Sequence, residues 1–131
     1  MILIDANVPM YLIGSDHPHK KDARRLLDRA ATNRDRLVTD AEVFQEILHR
    51  YVAIDRRDAI QPAFDLLNQL VDEIFAIDAA ILERAKTLVL GYRDLTARDA
   101  IHVAVMQQHR VPSIMSFGTA FDVVPGLTRL A

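Results

Sequence analysis

Hydrophobic positions along the chain follow two rhythms that take turns. Ile2-Leu3-Ile4 is a short continuous apolar run stopped by Asp5. Such a run predicts a buried strand, most comfortable at the centre of a parallel sheet. Val8-Pro9-Met10-Tyr11-Leu12-Ile13 follows, with Pro9 at a first helical position, Asn7 as the cap before it and Gly14 closing the short helix. From His19 to Arg34, Ala23, Leu26, Leu27, Ala30 and Ala31 recur at three- and four-residue spacing, which predicts an amphipathic helix. Leu37-Val38-Thr39 is a second short strand, and Thr39 or Asp40 caps a helix to Val52 whose stripe is Val43, Phe44, Ile47, Leu48 and Tyr51.

The alternation continues to the end. Asp55 to Leu70 has helical periodicity through Ile60, Phe64 and Leu67, and Glu73 to Ile77 reads as a third strand. Asp78 caps a helix to Leu90 that Gly91 closes. Thr96 stands three residues before Asp99, a capping-box variant with Asp in the Glu position, opening a helix that is apolar nearly all round through Met106. Val111-Pro112 stops it, Ser113 to Ser116 is a fourth strand, Phe117 to Ala120 a loop, and Phe121 to Val124 an edge strand before Pro125-Gly126. Strands alternating with helices predict an α/β fold, doubly wound, with a short, mainly parallel central sheet and helices on both faces. The length of 131 residues fits one domain, residues 1–131.

Composition narrows the chemistry. The chain has no cysteine, which excludes disulfides, thiolate metal sites and a cysteine nucleophile. No apolar run approaches the ~18 residues that cross a bilayer, and the amino terminus lacks the basic flank of a signal peptide, so the expected location is the cytoplasm, with no membrane partner. A net charge of −2 does not advertise nucleic-acid binding. Local basic clusters at Lys20-Lys21 with Arg24-Arg25, at Arg56-Arg57, and at Arg93 with Arg98 are the ordinary pattern of solvated helix faces.

Three acids stand out by position. Asp5, Glu46 and Asp99 each lie at a strand's carboxyl end or in the first turns of the helix after it, the edge where open α/β sheets place their ligands. Each has a local explanation: Asp5 as a helix cap, Asp99 as a capping-box acid, Glu46 as a solvated helix glutamate. Together they describe a carboxylate cluster, which repels itself unless a cation neutralises it. With oxygen ligands and no cysteine, the fitting cation is Mg²⁺ or Mn²⁺, the arrangement usual in phosphoryl chemistry. His49 and His102 lie three residues after Glu46 and Asp99 and are read as packed or hydrogen-bonded histidines.

These residues carry a resemblance. Ile4-Asp5-Ala6-Asn7, Glu46 in Phe44-Gln45-Glu46-Ile47-Leu48, Asp99 in Ala97-Arg98-Asp99-Ala100-Ile101-His102-Val103-Ala104, and the ending Met115-Ser116-Phe117 with Phe121-Asp122-Val123-Val124-Pro125-Gly126-Leu127 resemble a PIN domain, and more closely the VapC toxins of type II toxin–antitoxin pairs. The resemblance implies a Mg²⁺- or Mn²⁺-dependent endoribonuclease that cuts tRNA or ribosomal RNA, forms a homodimer and is inhibited by a VapB-like antitoxin. It places the family's three acids on Asp5, Glu46 and Asp99, its small polar helper on Asn7, and its strand-end hydroxyl on Thr39. The family's fourth acid falls on Gly118, which puts a second metal position in doubt; Asp94 and Asp122 are the nearby acids that would compensate. The loss of that acid motivates a rival reading, a PIN-like module that binds RNA or antitoxin without cutting. Haloacid-dehalogenase and receiver-domain readings fit poorly: the former wants an Asp where Asn7 stands, the latter an acidic pair near the start, where Asp5 stands alone.

Overall fold

The computed structural model describes residues 1–131. Its elements run β1 (Ile2–Ile4), α1 (Asn7–Ile13), α2 (Pro18–Asn33), β2 (Leu37–Asp40), α3 (Ala41–Ala53), α4 (Ile60–Leu70), β3 (Glu73–Phe75), α5 (Ala79–Gly91), α6 (Ala97–His109), β4 (Ser113–Met115) and β5 (Thr128–Leu130), with 3₁₀ turns at Arg57–Ala59 and Thr119–Val123. The five strands form one parallel sheet in the order β3-β2-β1-β4-β5. The first strand of the chain is therefore the middle strand of the sheet.

Alternation along β1 sorts the core into two layers, as the two-residue period of a strand requires. Leu3 joins Val38 and Ile114 on one face, covered by Ile81, Ala85 and Leu88 of α5 and Val103 and Met106 of α6. Ile2 and Ile4 join Met115 on the other, covered by Val8 of α1, Ala23 and Leu26 of α2, Ile47 of α3 and Leu67 of α4. The expected parallel sheet with helices on both faces is what the chain builds.

Some boundaries differ from the expectation. Phe121 to Val124 is not the edge strand: Phe121 is driven into the core at 1% exposure, curling the segment into a 3₁₀ turn, and the edge strand forms after Gly126 (φ 79°), at Thr128–Leu130. The helix expected from Asp55 begins at Ile60, because Asp55 adopts the left-handed conformation (φ 55°) and breaks continuity with α3. Asn7 is the first residue of α1 and not its cap, which leaves its amide free for the site. Gly91 ends α5 from inside the helix. The caps of α3 by Asp40, α5 by Asp78 and α6 by the Thr96–Asp99 box form as expected.

Candidate metal centre

Parallel pairing brings three strand ends to one edge. The register aligns Leu3 with Val38 and Ile4 with Met115, so Asp5 sits level with Asp40 and beside Ser116. The Asp5 N–H donates to the Met115 carbonyl at 3.1 Å. Thr39, fully buried, donates its hydroxyl to the Ile4 carbonyl at 2.8 Å, so it ties β2 to β1 and does not bond a carboxylate.

Asp5 is 6% exposed and held on every side. Its Oδ1 accepts from the Ala6 N–H at 2.8 Å, and its Oδ2 accepts from the Ser116 hydroxyl at 2.6 Å and the Asn7 amide at 3.4 Å. Asn7 also donates to Ser116 Oγ at 3.3 Å and accepts from the Phe117 N–H at 3.4 Å. The carboxylate thus has one orientation, aimed between β1 and the first turns of α3 and α6.

His102 fills the space opposite. Wholly buried on α6, it faces Asp40 Oδ2 with Nδ1 and Glu46 Oε1 with Nε2, each at 2.7 Å, and Asp5 Oδ1 lies 3.7 Å from Nε2. Two ring nitrogens on two carboxylate oxygens are both donors, which is the imidazolium form. Asp40 is buried too, and does two things at once: Oδ1 caps α3 through the Val43 N–H at 3.0 Å while Oδ2 holds the ring.

The electrostatics follow from this packing. Burial pulls the His102 imidazole down, but the carboxylate of Asp40, with Glu46 and Asp5 behind it, outweighs burial and holds the ring well above its ordinary range. Burial pushes the Asp5 carboxyl up, helped by nearby Glu46 and opposed by His102, Ser116 and the Ala6 N–H. Three carboxylates around one imidazolium leave an excess of negative charge at the sheet edge. Donor atoms of Asp5, Glu46 and His102 all lie within 4.8 Å of one another, two carboxylate oxygens and an imidazole nitrogen. That set fits a divalent cation, which would take the place of the proton on Nε2, with Asp40 on Nδ1 in the role of the outer carboxylate that metal-binding histidines commonly have.

The other expected residues are placed differently. Asp99 does not join the mutual 4.8 Å set; its carboxylate accepts from the Thr96 N–H at 3.3 Å, one turn before His102 on α6. Asp94 is exposed in the loop between α5 and α6. Asp122 is exposed and paired with Arg129 at 2.8 Å, and Arg129 in turn donates to the Ser116 carbonyl at 3.2 Å. Gly118 donates its N–H to Ser116 Oγ at 3.0 Å. Residue reasoning missed the roles of Ser116 and Asp40, and it read His102 as a packed, hydrogen-bonded ring without placing it at the centre of the acids. The one available signal was that Asp40 and Ser116, like Asp5, stand where an apolar strand run stops.

Comparison with known proteins agrees with this fold. The PIN-domain family model matches residues 2–127. The ribonuclease VapC13 of Mycobacterium tuberculosis is 56% identical over 131 residues, covering 100% of both chains. Among solved structures, M. tuberculosis VapC20, described as a sarcin–ricin loop cleaving toxin, superposes with a TM-score of 0.78 at 18% identity over 93% of each chain. VapBC2 from Rickettsia felis, bound to a DNA fragment from its promoter, gives 0.75 at 15% identity, covering 99% of this chain and 98% of that one. At such identities the structures speak to the fold, and the full-length sequence match speaks to the family. The chain belongs to the PIN-domain family and, within it, to the VapC ribonucleases.

Proposed function

We propose that the protein is a Mg²⁺- or Mn²⁺-dependent endoribonuclease that hydrolyses a phosphodiester of tRNA or ribosomal RNA, and that a VapB-type antitoxin neutralises it. The observation that carries this is the meeting of Asp5, Glu46 and His102 at one end of the central strands, from positions far apart in the chain. Those three residues would hold the ion, with Asp99 joining them only by leaving its bond to the Thr96 N–H. When bound, such an ion polarises a phosphoryl oxygen and lowers the pKa of a coordinated water. The chain's own work is preorganisation. Ser116 and Asn7 keep Asp5 in one rotamer, Asp40 keeps the His102 ring in one orientation, and burial at this edge strengthens every charge interaction there.

RNA cleavage by purified, antitoxin-free protein in Mn²⁺, abolished by chelation and by Asp5→Asn, tests the reading. Absence of cleavage across several RNAs favours the second reading, a PIN-like module that binds without cutting, for which Gly118 at the usual fourth-acid position is the supporting observation. Anomalous scattering from Mn²⁺ among Asp5, Glu46, His102 and Asp99 identifies the ligands directly. An acidic pocket also suits a basic antitoxin tail whose Arg or Lys occupies the cation position. Raising salt should weaken that complex, and an unchanged affinity removes the electrostatic account.

A further inference from the structure

Beside the metal centre, where α1 turns into α2, stands a group of rings that the metal chemistry does not use. Tyr11 and His17 are stacked, centroids 4.8 Å apart and planes 29° apart. His19 and Phe117 are stacked at 4.2 Å and 15°, and Tyr11 meets them both edge-on. Rings normally gather to be buried. Here His17 is exposed, and Tyr11, His19 and Phe117 remain partly open.

The stack shares a cavity of about 580 Å³ with the site, whose walls include Asn7, Tyr11, His17, Glu46, Arg50 and Arg98. Glu46 lines the cavity itself and Asn7, which bonds Asp5, lines it beside the site, so the cavity adjoins the acids at Glu46. Arg50 and Arg98 form no ion pair within the chain. The lining therefore offers flat rings and unpaired guanidinium groups around a single space. A single-stranded RNA segment presents the complement, flat bases alternating with phosphates.

We propose that Tyr11 and His17 form a stacking platform for one unpaired base of the RNA substrate, with Arg50 and Arg98 holding the adjoining phosphates, so that the platform sets which bond reaches the acids. This rests on the ribonuclease reading. It assigns specificity to the α1–α2 junction: any base has a face to stack, while the distance from platform to acids selects the position cut.

His17 permits a clean test because it has two separable jobs. Its Nδ1 accepts from the His19 N–H at 3.1 Å and caps α2. His17→Asn keeps a good cap and removes the ring, whereas His17→Phe keeps a ring and removes the cap. Binding is read on the Asp5→Asn background, without turnover, using single-stranded oligoribonucleotides that carry one 2-aminopurine. The expected result is quenching at one position along the oligonucleotide, about tenfold weaker binding with His17→Asn, and near-normal binding with His17→Phe. In the cleaving protein His17→Asn should raise KM and leave kcat nearly unchanged. Absence of quenching at every position, equal binding by His17→Asn, or a loss shared by His17→Phe overturns the platform. So does a loss confined to binding of a protein partner. Failure of the unsubstituted protein to cleave any RNA in Mn²⁺ overturns the ribonuclease reading instead, and the quenching measurement is independent of that outcome.

Discussion

Ser116 shows how much a single hydroxyl can do. It donates to Asp5 at 2.6 Å and accepts from Asn7 and from the Gly118 N–H, so it fixes both the acid and the loop beyond β4. Ser116→Ala should weaken Mn²⁺ binding or cleavage about 10–100-fold, the usual cost of losing a group that orients a ligand, and calorimetric titration with Mn²⁺ will show it. Gly118 poses the opposite question. Its φ of −77° suits any residue, and a Cβ there would meet Ser116 Oγ at 3.4 Å and the Phe121 ring at 3.7 Å, ordinary contacts. Gly118→Asp should therefore fold normally, with an unchanged Tm, and bind Mn²⁺ more tightly. A fall in affinity would mean that the added carboxylate points elsewhere. The prominence of Asp5 and Glu46 was legible in the residues, because an apolar run that ends in an acid and a helix that starts beside it already imply one sheet edge. Ser116 and Asp40 were not. A strand-end serine and a helix-capping aspartate each have a sufficient local explanation, and their further partners lie 111 and 62 positions away.

Three of the helices, α3, α5 and α6, are held at their starts by short polar side chains. Thr96 accepts from the Asp99 N–H at 3.1 Å while the Asp99 carboxylate accepts from the Thr96 N–H, and Thr96→Ala should cost about 1 kcal/mol, read as a lower Tm. Asp40 is a cap of a different weight, since α3 and α6 meet through it. Asp40→Asn keeps the cap and an acceptor for His102, whereas Asp40→Ala removes both and leaves a buried cation short of its partner. The alanine variant should lose on the order of 3–5 kcal/mol in urea unfolding and the asparagine variant clearly less. Equal losses would show that the cap alone matters. Most helices and four strands were readable from periodicity, because three- and four-residue spacing survives whatever the tertiary structure. The fifth strand was not. Phe121-Asp122-Val123-Val124 has strand composition, and only the buried slot for Phe121 turns it into a 3₁₀ segment. Likewise nothing in the local pattern marks Asp55 as the left-handed residue that separates α3 from α4.

At the scale of the whole molecule the buried charges couple folding to pH. His102 has a folded pKa well above its ordinary 6.5, so its ion pairs contribute fully below that unfolded value and are lost as pH rises through the folded one. In chelator, stability should therefore fall as pH rises above about 6.5. His102→Gln should flatten that slope while lowering stability overall, and thermal melts across the range check both. A slope that survives the substitution places the titrating group elsewhere. Mn²⁺ should raise the Tm most at the alkaline end, where it no longer competes with a proton on Nε2.

The sheet order carries one last consequence, for the moment of synthesis. Because β1 lies between β2 and β4, it has no complete berth until the strand that ends at Met115 has been made. Asp5 is translated 111 residues before the serine that aims it. A nascent chain of this kind carries the acid well before the strand that completes its surroundings.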